Sequence, residues 1–293
     1  MRFAPTLQES LPSADVAGKH GAPLISNVRL LELYAAMVRM SVLDPAAANQ
    51  WGAVLSAFLA DLAAVDRIVY DLPDPATQLL SDFVTPFRAP LIEAPPSLAT
   101  GLALALARQN PGAVVLAMTT IDRLEPAALH EALRVAAREA LPILYLLLPA
   151  AADHGARTKT ATRLKTSASI KASGRQDGIY LAATGTTQPQ EDWSRAATLD
   201  GVVTIPVDAI DALALYRVAF EMIARARSGS GPTLIDCKKI IFTPGEDDAV
   251  ARMEAHLSRK GLLEAGDRAH MTEELLRAAG RVSRTAARRA GTR

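Results

Sequence analysis

The chain has 293 residues, with Lys+Arg 32 against Asp+Glu 31, a formal net charge of +1, and 49% hydrophobic residues. A chain of this size buries a core without disulfides or a structural metal, and its balanced charge excludes a general nucleic-acid-binding surface. The single cysteine, Cys237, excludes a disulfide framework or multi-cysteine zinc cage and fits a reducing cytoplasm.

Residues 1–25 carry Pro, Ser and Gly without apolar periodicity and read as an extended arm over a neighbouring subunit. They lack the apolar centre of a signal peptide. Ser26 can cap a first helix in which Leu30, Leu33, Tyr34 and Met37 recur at helical spacing. Asp44 as cap and Pro45 as first residue start a second helix, through AAANQWGAVLSAFLADLAA.

Short apolar runs then alternate with amphipathic helices. The runs are residues 68–70, 113–118 (AVVLAM), 143–148 (ILYLLL), 202–207 and 233–237. Between them lie SLATGLALALARQ, EPAALHEALRVAAREA, residues 188–198 and DALALYRVAFEMIARARS. Strands apolar on both faces and separated by single helices imply a doubly wound α/β domain, a mostly parallel sheet covered on both sides. This domain is expected over 26–265, with a basic helical tail over 266–293 holding Arg281, Arg284, Arg288, Arg289 and Arg293. The longest apolar run, 141–152, is too short to span a bilayer and contains Pro142 and Pro149, so no membrane insertion is expected.

In such a sheet, ligands sit at the carboxyl ends of the strands. The segments there are residues 119–123 (TTIDR) after AVVLAM and 149–154 (PAAADH) after ILYLLL. Neither carries a Gly-rich phosphate turn or a Walker lysine, and GxSxG and HExxH are absent from the chain.

The stretch LATGLALALARQNPGAVVLAMTTIDRLEPAALHEALRVAAREALPILYLLLP resembles the alpha subunit of thiamine-diphosphate-dependent 2-oxo acid dehydrogenases, the decarboxylating first components of the pyruvate, branched-chain and acetoin dehydrogenase complexes. The flanks LLELYAAMVRMSVLD, VDAIDALALYRVAFEMIARARSGSGPTLIDCK and DDAVARMEAHLSRKGLL resemble the same family, so the likeness runs through most of residues 28–263. It implies the thiamine-diphosphate-binding fold, thiamine diphosphate and magnesium as family cofactors, and a homo-oligomer or a heterotetramer with a beta-type subunit. The glutamate that activates the cofactor precursor belongs to that beta subunit.

The departures fall on the chemistry. Registered on His130-Glu131-Ala132, the family's Gly-Asp-Gly, with its magnesium-binding Asp, falls on Thr120, Ile121 and Asp122. The family's Asn-Asn pair falls on Pro149 and Ala150. Magnesium takes hard oxygen ligands, which Ile, Pro and Ala side chains do not supply. The family's Tyr-Arg-x-His-Gly segment reads Tyr70-Asp71-Leu72-Pro73, with a shortened connection to the next helix, and its late His-Gly-His-Ser loop reads FTPGED over 242–247. Four pieces of one site are missing while the scaffold persists. The reading is a degenerate family member that binds no cofactor or metal, has no catalytic residues of its own, and acts as a structural or regulatory subunit. An active alpha chain working with a beta subunit is the alternative, and an anion-binding module using the vacated cleft is the third.

Asp122 is a turn residue unless a one-residue slip brings it, with Asp153 and His154, toward a metal. His130 reads as a packing or interface residue, or as an acid/base group at the site mouth. Cys237 reads as a small core hydrophobe. Residues 155–176 carry Arg157, Lys159, Arg163, Lys165, Lys171 and Arg175 without an acid, a solvated loop or an anion-binding one.

Overall fold

The computed structural model describes residues 25–84, 89–150, 202–238 and 248–277. The chain divides into two units, 1–151 with 193–293, and 152–192; the second lies outside the described residues. Also outside them are the arm, residues 188–198 and 242–247, and the Arg-rich end.

The first unit is α/β, built on a parallel six-stranded sheet in the order β2-β1-β3-β4-β6-β5. The strands are β1 (Arg67–Asp71), β2 (Leu91–Glu93), β3 (Val115–Thr120), β4 (Ile143–Leu148), β5 (Val203–Asp208) and β6 (Thr233–Lys238). Every residue of β3 and β4 is buried, as expected of strands covered on both faces. One face, with Ile68, Leu116, Met118, Leu146 and Ile235, packs in a core with α1 (Asn27–Leu43), α3 (Ala53–Leu59) and α7 (Ala212–Arg227). The other, with Val115, Ala117, Tyr145 and Leu147, packs with α5 (Pro96–Gln109) and α6 (Pro126–Arg138).

The caps read from the sequence form. The Ser26 hydroxyl accepts from Arg29 N, and Asp44 accepts from Ala46 N and Ala47 N at 3.0 Å each. Three features differ from expectation. The second helix is split: α2 (Pro45–Ala47) passes through a π-helical turn, Ala48–Gly52, before α3. The shortened connection after Tyr70, where the sequence marked no element, holds α4 (Asp74–Val84) and β2, a three-residue edge strand too short to show periodicity. Finally, β5 is the other edge, with Val203 and Pro206 exposed, not a strand covered on both faces. Helix α8 (Ala249–Arg259) and residues 267–277, also helical, complete the described chain, and Met271 is buried in the first core. No helix among the described residues is long and apolar enough to cross a membrane.

Candidate functional site

From β1 the chain goes to β2 on one side and then returns to β3 on the other, so the strand order switches between β1 and β3. A crevice outside the carboxyl ends of the strands at such a switch is the usual ligand position of an open α/β sheet. Asp71 ends β1, and residues 119–123 end β3 and turn into α6.

At this switch the two strand ends are tied together. Arg123 Nε donates to Asp71 Oδ1 at 2.7 Å, with both side chains partly exposed. That bond and charge, with Asp122 and Asp74 farther off, favour the charged guanidinium and push the Arg123 pKa up. Three carboxylates, Asp71, Asp122 and Asp74, thus act on one arginine at this switch.

The ladder between β3 and β4 continues to Thr120, paired with Leu148. Position 120 is therefore inside the strand, two residues beyond its expected end. Thr120 is fully buried and its Oγ1 has no hydrogen-bond partner among the described residues. Ile121 N donates to Leu148 O at 3.0 Å, and the Ile121 side chain packs against the second core. Arg123 N donates to Thr120 O at 3.0 Å, closing a turn that leaves Asp122 exposed, the turn role expected of it. Of the proposed metal group, Asp153 and His154 lie outside the described residues, as do the six basic residues from Arg157 to Arg175.

The end of β4 is held from the π-helical turn. Trp51 Nε1 donates to Pro149 O at 3.1 Å, and Gln50 Nε2 donates to Ala150 O. Trp51 is 2% and Gln50 9% exposed. π-Helical turns redirect side chains that a regular helix would space differently, and this one sets two successive donors on two successive carbonyls. Gln50 and Trp51 escaped the sequence reading because a π turn leaves no periodic signature. The Arg123 pairing had a signal, opposite charges at the ends of adjacent strands, that only the strand order makes readable.

His130 lies on α6 and is partly buried. Cys237 is fully buried in the first core, where burial, with Asp236 adding, pushes its thiol pKa up; it packs as a hydrophobe. Among the described residues no group of three or more His, Cys, Asp or Glu is placed to hold a metal ion. At these strand ends Ile121 packs against the second core, position 120 lies in the ladder, and the carbonyls of Pro149 and Ala150, just beyond β4, accept from Trp51 and Gln50.

A separate cleft of about 190 Å³ lies between the start of α7 and α8, lined by Ile210, Leu213, Arg252, Met253, His256 and Arg259. Arg252 bridges Asp208 at 2.9 Å and Asp211 at 3.0 Å.

No family model matches the sequence, and no curated protein matches it. Among solved structures, the chain is similar to one from Mycobacterium smegmatis described as a "putative thiamin diphosphate-dependent enzyme", with 17% identity and a TM-score of 0.42. The match covers 63% of this chain and 30% of that one.

Proposed function

We propose that the chain is a degenerate relative of the 2-oxo acid dehydrogenase alpha subunit, a structural or regulatory subunit that takes neither thiamine diphosphate nor magnesium. The observation that carries this reading is the state of the two strand ends. Ile121 packs against the core where the family has its metal-binding Asp, and Trp51 and Gln50 occupy the carbonyls of the positions matching Asn-Asn. Magnesium needs several oxygen ligands in near-octahedral array, and these positions offer it no side-chain oxygen beyond Thr120 and the exposed Asp122.

The outward face of α5 supports a role in assembly. From Ser97 to Ala107 this helix has no charged residue, and Leu98 is 64% exposed with Gly101 and Ala105 exposed one and two turns on. A helix apolar on its outer side as well as its inner side belongs in a buried layer. The occupant we assign is a second copy of this chain, because a face neutral along its length is self-complementary about a two-fold axis.

Isothermal titration with thiamine diphosphate and magnesium tests the reading, on the chain alone and after mixing with a beta-type subunit that co-purifies with it. The expected result is no saturable heat. Metal-dependent saturation at micromolar concentration would overturn it and make the active alpha subunit the better account. Sedimentation of the same sample as a dimer that Leu98→Glu dissociates is the expected outcome for the α5 face.

A further inference from the structure

The cleft between the start of α7 and α8 is lined by basic side chains from one helix face. Arg252, His256 and Arg259 stand at i, i+4 and i+7 on α8, and all three line the cleft, with Ile210 and Leu213 from the start of α7 and Met253 from α8 as its apolar part. The two carboxylates that reach Arg252 are already committed. Asp211 accepts from Leu213 N and Ala214 N with Oδ1 and from Arg252 with Oδ2, and Asp208 accepts from Ile210 N with Oδ1 and from Arg252 with Oδ2. Arg252 is therefore neutralised and held in place. By contrast, neither Arg259 nor Lys260, the residue after it, forms an ion pair among the described residues. Burial and then these two cations lower the His256 pKa while Asp211 raises it, so the ring sits in a positive field.

We propose that this cleft binds a small oxyanion of charge −2, a phosphate or sulfate group, held by Arg259 and His256 against the start of α7. A guanidinium and an imidazolium are charged donors that suit oxyanion acceptors, and such bonds are about twice as strong as neutral ones. The start of α7 also carries the positive end of that helix's dipole. The cleft, about 190 Å³, is smaller than the roughly 300 Å³ at which pockets for drug-sized ligands begin, so it suits such a group with at most a short apolar tail. An anion bound there offsets the field that disfavours the charged ring, so anion binding and protonation of His256 strengthen one another. The cleft lies beside β5, at the sheet edge away from the switch between β1 and β3, and the proposal is independent of the assignment of the cofactor site.

Titration of the full chain with sodium sulfate, followed through the His256 ring resonance, tests the proposal; the resonance is assigned by its loss in His256→Gln. Sulfate is the probe because it does not itself change charge between pH 5 and pH 8. The expected result is a saturable shift at millimolar sulfate, with the ring pKa raised by about one unit and binding about tenfold tighter at pH 5 than at pH 8. Arg259→Gln, at an exposed position without an ion pair among the described residues, should weaken binding about tenfold and leave the fold intact. Arg108→Gln, in the exposed last turn of α5, controls for the general effect of a kosmotropic salt and should bind as wild type does. Inorganic phosphate and propyl phosphate separate the two sources of the group: tighter binding of the ester assigns a phosphate monoester, equal binding the free ion, and either supports the site. No saturable shift up to tens of millimolar sulfate would overturn the proposal, as would a shift that Arg259→Gln leaves unchanged.

Discussion

Asp66 holds three parts of the molecule through one buried carboxylate. It is 0% exposed; Oδ1 accepts from Val114 N at 2.8 Å, and Oδ2 accepts from Ala63 N at 2.7 Å and from Arg227 at 2.6 Å. The first bond fixes the loop before β3, the second the turn before β1, and the third the last turn of α7. Removing the carboxylate orphans two backbone donors and leaves Arg227 only its bond to Asp61 O, and unpaired buried donors cost far more than a surface ion pair returns. Asp66→Ala is therefore expected to lower stability by about 3 kcal/mol, read as a lower denaturant midpoint at unchanged slope. Asp66→Asn should recover part of it through its remaining acceptor. Nothing in the sequence marked Asp66, because its three partners lie 3, 48 and 161 residues away along the chain.

At the scale of elements, local chemistry was readable wherever it acts over a few residues. Ser26 and Asp44 start their helices as their side chains require, and the apolar runs of β1, β3, β4 and β6 lie in the sheet. The π turn and β2 were not readable: one changes helical pitch without changing composition, and the other is only three residues long. Helix α8 adds a feature set by its end. His256 sits in its last turn with Arg259 and Lys260; burial first, then these two cations, lower its pKa, while Asp211 raises it. A histidine with a folded-state pKa below its unfolded value of about 6.5 favours the native state only while neutral. That contribution is complete above the unfolded pKa and falls as pH drops toward the folded one. Wild type is thus expected to lose more melting temperature than His256→Gln between pH 7.5 and pH 5, and parallel losses would show that neither burial nor the neighbouring cations disfavour the charged ring.

For the whole molecule, the sheet order puts pieces distant in the sequence side by side. The resemblance read from the sequence points to positions 120–122 and 149–150, and the side chains around them come from the π turn, from β1 and from the turn into α6. That distribution predicts the result of rebuilding one piece alone. Thr120→Gly, Ile121→Asp and Asp122→Gly together recreate the family triplet at the end of β3. The glycine at 120 weakens a ladder residue paired with Leu148, and the aspartate replaces a side chain packed on the second core. Each change costs on the order of 1 kcal/mol or more, so the triple variant should melt several degrees lower than wild type. It should still show no magnesium-dependent heat with thiamine diphosphate, because Pro149 adds no ligand, Trp51 and Gln50 still hold the β4 end, and the Asp71–Arg123 pair still ties β1 to the turn after β3. Saturable binding by the triple variant would mean that one strand end alone decides cofactor binding and that the contacts at β1 and β4 are incidental to it.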